Sequence, residues 1–348
     1  MIAHSVINRL KPALQQVSRN VVGVHASACF LNRVPFPLFL NSGPAAADGS
    51  FSKILTSRFI SSRFFEVPYS RSKDGGLTWR GEVPSFTERP NTDMNFLGKD
   101  FALRLWRQSC FTSANRGGEW HGPFELPAFE GYKAYARSNY IVTGRNSALL
   151  FLSTYPKEGA PSRSFLARLD GSSRQFKFVS WIGNDYLDRS RIVPQEDTYR
   201  HAIMPSGLRI SDGRYVCAVR QRVAGDRWAD LYETRDSGET WNFLSTIERG
   251  SDNPISLLSL GGDVVAAIYG WRSKPFGLQA KISRDAGQTW SAPIILRQDA
   301  RNNDIGYTRA ALRRDGTVVI AYYYSSDEHP EQHIAVTFWN PSVSPSSR

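Results

Sequence analysis

Ser283-Arg284-Asp285-Ala286-Gly287-Gln288-Thr289-Trp290 decides the fold, because it recurs. Thr234-Arg235-Asp236-Ser237-Gly238-Glu239-Thr240-Trp241 and Ser72-Lys73-Asp74-Gly75-Gly76-Leu77-Thr78-Trp79 repeat it, and all three read S/T-x-D-x-G-x-T-W. Ser113-Ala114-Asn115-Arg116-Gly117-Gly118-Glu119-Trp120 keeps the frame, with Asn for Asp and Glu for Thr. A fifth copy, around Asp170-Gly171-Ser172-Ser173-Arg174-Gln175-Phe176, carries one inserted residue and Phe in place of Trp. The Asp positions (74, 115, 170, 236 and 285) lie 41, 55, 66 and 49 residues apart, enough for one small sheet plus loop insertions each time.

The octapeptide has the chemistry of a tight turn. Its Asp can accept hydrogen bonds from turn amides, and its Gly supplies a positive φ. The Ser/Thr hydroxyls can bond back to the backbone, while the Trp covers a large apolar area between neighbouring sheets. These Asp residues are therefore structural and are not candidates for catalytic acids.

A second element recurs beside the turns. Leu208 to Arg220, Leu260 to Tyr269 and Leu312 to Tyr323 each pass through a DG- or GD-type turn into a continuous apolar run, and Ala148 to Tyr155 is a fainter relative. Apolar runs of this length bounded by turns predict buried inner strands. Five octapeptide turns and a last unit without one, about 309–339, make six units. Helical periodicity is confined to a weak stretch near Val6 to Val17. The expectation is an all-β chain, a six-bladed β-propeller of four-stranded antiparallel blades over residues 31–340, with a basic leader at 1–30 and a short tail at 341–348.

Composition agrees with a folded body. The chain has 348 residues, of which 41% are hydrophobic and 12% aromatic, which excludes a disordered or low-complexity polymer. No apolar run reaches the length of a membrane helix. The net charge of +11 would suit a nucleic-acid partner, but +7 of it comes from the first 73 residues. No Gly-rich phosphate loop, zinc pattern or RNA-binding signature accompanies it, so nucleic acid is not expected as a partner. Cys29, Cys110 and Cys217 are isolated and form neither a metal pattern nor a disulfide framework. No metal and no cofactor are expected. The acid-free leader admits three readings: a disordered or over-extended N-terminus, an organellar transit peptide, or a poor secretory signal built on Val21-Val22-Gly23-Val24.

The octapeptides resemble the Asp-boxes, or bacterial neuraminidase repeats, of the sialidase superfamily. The resemblance covers roughly 33–339 and is strongest from Gly117 to Trp339, with blocks such as Lys177-Phe178-Val179-Ser180-Trp181-Ile182-Gly183, Asn253-Pro254 and Asp304-Ile305-Gly306-Tyr307. It implies a glycan substrate, a site with three Arg around a sugar carboxylate, a Tyr nucleophile paired with a Glu, and an Asp acid/base. A planar guanidinium matches a carboxylate in two parallel hydrogen bonds. A Tyr nucleophile avoids the repulsion that a carboxylate would meet at an anomeric carbon bearing its own carboxylate.

Carried over residue by residue, Tyr307 matches the nucleophile, Arg220 the second Arg and Arg272 the third, with Arg309 a competitor. Arg33, in Arg33-Val34-Pro35, matches the first. Two positions depart from the pattern. Met204 stands where the Glu partner is expected, and between Arg33 and Ser72 the only acids are Asp48 and Glu66, neither in place for the acid/base. Glu196, Asp197, His201 and Asp304 are the substitutes with acid/base capacity, His201 having the intrinsic pKa suited to proton transfer.

Three functions are compatible with this pattern: an exo-α-sialidase cleaving a terminal acidic sugar, a glycan-active relative with another substrate such as a uronic-acid or deoxy-sugar glycoside, and a glycan- or protein-binding propeller without catalysis. A monomer is expected, and the resemblance favours a secreted or periplasmic location.

Overall fold

The computed structural model describes residues 21–25, 39–40, 51–54, 69–89, 94–154, 162–183, 200–223 and 225–342. Among these the chain is all-β, with no helix. Its strands form four four-stranded antiparallel sheets and one sheet of nine strands.

The four-stranded sheets are built alike. Arg200–Ser211, Arg214–Val223, Asp226–Thr234 and Asn242–Arg249 follow one another as an antiparallel meander, and so do Ser256–Gly261, Val264–Trp271, Gly277–Ser283 and Ile294–Arg297. The second strand of each is almost wholly buried, as its apolar run predicts. Phe39–Leu40, Phe51–Ile54, Tyr69–Ser72 and Arg80–Glu82 make another sheet. The last consists of Gly306–Leu312, Val318–Tyr324 and His333–Trp339, edged by Val21–His25. That N-terminal strand, the apolar run read above as part of a leader, pairs antiparallel with the final strand, Val21 opposite Trp339.

The nine-stranded sheet consists of two units joined at a seam of two residue pairs, Ala136 with Arg107 and Arg137 with Trp106. One unit is the regular meander Tyr132–Gly144, Ser147–Thr154, Ser164–Asp170 and Gln175–Ile182, with the two-residue strand Ala128–Phe129 paired to Tyr132–Gly144. The other, Ala102–Arg107, Ser109–Ser113 and Glu119–Glu125, is edged by Ser85–Thr87, which runs parallel to Glu119–Glu125. The expectation of uniformly antiparallel blades fails at this edge. There Ser85 N–H also donates to the Gly118 carbonyl of the octapeptide turn (3.0 Å).

The octapeptides form the expected turns. Asp236 accepts Thr240 N–H (3.0 Å), Thr240 Oγ1 (2.6 Å) and Thr234 Oγ1 (2.7 Å), and Asp285 accepts the equivalent three bonds from Thr289 and Ser283. The Thr hydroxyl and amide bonds hold both carboxyls down at about 2. In the degraded copy Asn115 Oδ1 still accepts Glu119 N–H and Ser113 Oγ, but Glu119 has no hydroxyl for the third bond.

Two of these turns also reach the sheet before them. Trp290 Nε1 donates to Ser245 Oγ and Trp241 Nε1 to Ser180 Oγ, while those hydroxyls donate to the carbonyls of Gly287 and Gly238. The turn of the first sheet packs Trp79 on Val319, Val336 and Phe338 of the last. Apolar cores accordingly lie between consecutive sheets, as where Val216 and Leu231 meet Val265 and Tyr269.

A candidate site at the ends of the inner strands

In an antiparallel meander the start of the first strand and the end of the second share one edge. In three consecutive sheets that edge carries the residues singled out by sequence. Ile203 lies opposite Arg220 and His201 opposite Arg222 in the first, Ser256 opposite Ile268 in the next, and Gly306 opposite Tyr323 in the last. Arg272 follows the second strand of the middle sheet.

The link between them is Ser251-Asp252-Asn253-Pro254, which enters the middle sheet. Asp252 Oδ1 accepts both Nε (2.9 Å) and Nη2 (2.7 Å) of Arg220. The two side chains are only 8% and 12% exposed, so this is a buried ion pair, with Arg227 Nη1 further off at 3.8 Å from Oδ2. The Asp252 carbonyl accepts Arg272 Nη1 (3.4 Å). Asn253 Nδ2 donates to the Ile305 carbonyl (2.9 Å), and its Oδ1 accepts Tyr307 N–H (3.4 Å). Gly306 is required beside it. Its φ is +118°, and a Cβ there would lie 2.2 Å from Asn253 Nδ2.

Arg272 and two tyrosines complete the network. Arg272 Nε and Nη2 donate to the Ile305 carbonyl (3.2 and 3.0 Å), and Nη2 also donates to Tyr323 Oη (2.8 Å). Tyr323 Oη donates to Asp304 Oδ1 (3.1 Å). Burial, then the Asp304 charge, push the Tyr323 hydroxyl up despite Arg272, so it stays protonated. Tyr307 stacks on Tyr323 with centroids 5.6 Å apart, and the Arg272 guanidinium lies 5.8 Å from the Tyr307 ring centroid. Asp304 is exposed and Tyr307 half-buried.

Nine non-glycine residues among those described have positive φ. Arg116, Ser237 and Ala286 are octapeptide positions, where the turn demands it. Met204 (+58°), Asp252 (+54°) and Tyr307 (+51°) all belong to this network. Backbone strain of this kind persists only where surrounding contacts over-determine it, and it clusters at functional sites.

The sequence candidates fall as follows. Arg220, Arg272, Tyr307 and Asp304 are joined in one network. His201 is half-buried within electrostatic reach of Arg220 and Asp252; burial, then Arg220 and Arg222, depress its pKa, so its imidazole is neutral near pH 7. Arg309 lies past a bulge on the strand of Tyr307, with Nη1 on the Thr308 carbonyl (3.4 Å). Met204, in the place of the expected acid, accepts only a weak bond through Sδ from Arg220 Nη1 (3.4 Å). Arg33, Glu196, Asp197, Asp48 and Glu66 lie outside the described residues. Sequence reasoning missed Asp252 and Tyr323. The signal for the first was an Asp beside the Asn253-Pro254 block, in a polar turn ahead of an apolar strand. Among the described residues no group of three or more His, Cys, Asp or Glu could hold a metal ion.

Behind the network, Glu248 is 4% exposed and its Oε2 accepts Ser251 N–H (2.9 Å). Burial pushes its carboxyl up to about 7, and burial likewise lowers Lys281, whose Nζ donates to the Ile247 carbonyl. Desolvation thus outweighs their mutual attraction. Because the folded pKa lies above the ordinary glutamate value of 4.5, this contribution is complete below that value and is lost as pH rises through about 7. At full effect it is on the order of 3 kcal/mol. Glu248→Gln should melt higher than the wild type at pH 8 and gain nothing at pH 4, a difference that thermal unfolding at the two pH values measures.

The description "BNR repeat-like domain" matches residues 98–320. No curated protein sequence matches the chain. Among solved structures, a protein of unknown function from Dyadobacter fermentans is similar at a TM-score of 0.65 and 19% identity, covering 93% of this chain and 100% of that one. An α-L-arabinofuranosidase from Fusarium graminearum is similar at 0.54 and 14% identity, covering 89% and 94%. The NanB sialidase from Streptococcus pneumoniae reaches 0.47 at 15% identity, covering 86% and 52%. At such identities the likeness is one of fold.

Proposed function

The chain belongs to the BNR repeat-like domain family, a branch of the sialidase/BNR-repeat superfamily, and from that premise we propose that it is a glycan-active six-bladed β-propeller that cleaves a terminal sugar. Closure into a ring is supported by contacts at consecutive sheets. The first sheet's turn packs on the last sheet, Arg71 of the first sheet donates to the Arg116 carbonyl in the next unit's turn, and the N-terminal strand edges the last sheet.

The observation that carries the functional reading is the convergence of Arg220, Asp252, Arg272, Tyr307, Tyr323 and Asp304 from three consecutive sheets into one hydrogen-bonded and stacked network. The half-buried Tyr307 ring, backed by Tyr323, suits the apolar face of a sugar ring. Asp304, exposed and tied to Tyr323, is the group suited to proton transfer. Neutral His201, beside Arg220 and Asp252, is a second base. Tyr307 presents its ring at the same edge and is the assigned nucleophile, by its resemblance to the sialidase position.

The finer exo-α-sialidase reading is supported by the register of Tyr307, Arg220 and Arg272, and opposed by Met204 in place of the acid partner. A glycan-active enzyme with another sugar is the alternative, and the occupied Arg220 guanidinium favours it. Release of a fluorescent leaving group from α-sialosides, α-L-arabinofuranosides and uronosides by the full chain tests the proposal. Turnover of at least one is expected. A panel that binds and stays intact would make this a binding propeller.

A further inference from the structure

We infer that Asp252 is a specificity-determining residue: by occupying the Arg220 guanidinium from within the chain, it selects glycans whose terminal sugar is uncharged. The inference rests on the glycan-active reading above and narrows its substrate class.

The argument is an account of donors. A guanidinium clamps a carboxylate through two parallel N–H groups. At Arg220, Nε and Nη2 are both given to Asp252 Oδ1, and Nη1 points to Met204 Sδ. At Arg272, Nε and Nη2 are given to the Ile305 carbonyl, Nη1 to the Asp252 carbonyl, and Nη2 also to Tyr323. Arg220 thus gives its Nε/Nη2 fork and its charge to Asp252, and Arg272 gives four of its five N–H groups. Displacing Asp252 by a sugar carboxylate would leave a buried carboxylate without its partner, which costs more than the exchange returns. Asp304 places an exposed carboxylate at this edge, while Arg227, 3.8 Å from Asp252 Oδ2, faces the same acid that holds Arg220. What remains for a ligand is the half-buried Tyr307 ring, backed by the buried Tyr323, with hydroxyl-matching polar groups around it, the chemistry of a neutral sugar ring.

Asp252 is also held where an ordinary side chain is strained, at a φ of +54°. A glycine tolerates that conformation, so Asp252→Gly removes the carboxylate without imposing a new backbone. The test is titration calorimetry of the full chain with sugars that differ at the carboxyl group: N-acetylneuraminic acid and its methyl ester, glucuronic acid and glucose, with arabinose as a further neutral sugar. The wild type should prefer the uncharged member of a pair by about tenfold or more, and Asp252→Gly should shift the preference toward the acid by a similar factor. A sugar acid bound tenfold tighter by the wild type would overturn the inference and leave the glycan reading standing. So would an unchanged preference in an Asp252→Gly variant that melts cooperatively. If no sugar of either kind binds the wild type, the glycan reading falls and the inference with it. If the variant does not fold, the wild-type comparison decides alone.

Discussion

Replacing Tyr307 by Phe is expected to lower kcat/KM for the cleaved glycoside by about three orders of magnitude, the range for loss of a group that takes part in bond making or proton transfer. The substitution removes one oxygen and keeps the ring. The stack on Tyr323, the Arg272 guanidinium over the ring and the Asn253 contact to the backbone N–H all survive it. The melting temperature should therefore change by no more than a few degrees, the scale of one lost hydrogen bond. A variant that melts normally and turns over at the wild-type rate would remove Tyr307 from the chemistry and shift attention to Asp304 and His201. Steady-state kinetics with a parallel thermal melt reads both quantities.

The second large effect is on stability. Phe151 is 1% exposed on the second strand of its sheet and packs in the core shared with the next sheet, against Tyr215, Val219 and Tyr232. Its ring lies flat on Gly207, where a Cβ would come within 2.1 Å of Cζ, and it meets Trp241 edge-on at 6.3 Å. Phe151→Ala should cost about 3–5 kcal/mol, combining lost burial with the cavity between two sheets. Denaturant unfolding measures it. A loss below about 1 kcal/mol would mean that the seam between these sheets collapses easily and contributes little to stability.

These two residues were not equally visible in the sequence. Phe151 lies in a continuous apolar run, and its burial follows from that pattern alone. The octapeptide turns were equally legible because their chemistry is local: Asp, Thr, Ser and Gly satisfy one another within eight residues. Val21–His25 was not, because its partner strand lies at the other end of the chain and a run of four apolar residues also resembles a weak signal sequence. The parallel pairing of Ser85–Thr87 with Glu119–Glu125 was hidden for a related reason, since a three-residue edge carries no periodicity.

The site divides in the same way. Arg220, Arg272, Tyr307 and Asp304 could be proposed from their register against the repeated turns. Asp252 could not, because an Asp before Asn-Pro is ordinarily a turn residue, and its ion pair crosses from one sheet to the next over 32 residues. Tyr323 sits in the run Tyr322-Tyr323-Tyr324, where alternation sends neighbouring rings to opposite faces. Only the middle one reaches Asp304 and Arg272. Distances between strand ends depend on how sheets are arranged around one another, which no local pattern encodes.

Proton NMR of a short oligosaccharide incubated with the full chain, beside the Tyr307→Phe variant, bears most directly on the glycan-cleaving role. The wild type should produce the anomeric resonances of a free terminal monosaccharide, at a rate that the variant loses. Broadening of an otherwise unchanged glycan spectrum, equal for both proteins, would contradict the account and leave a protein that binds sugars without cleaving them.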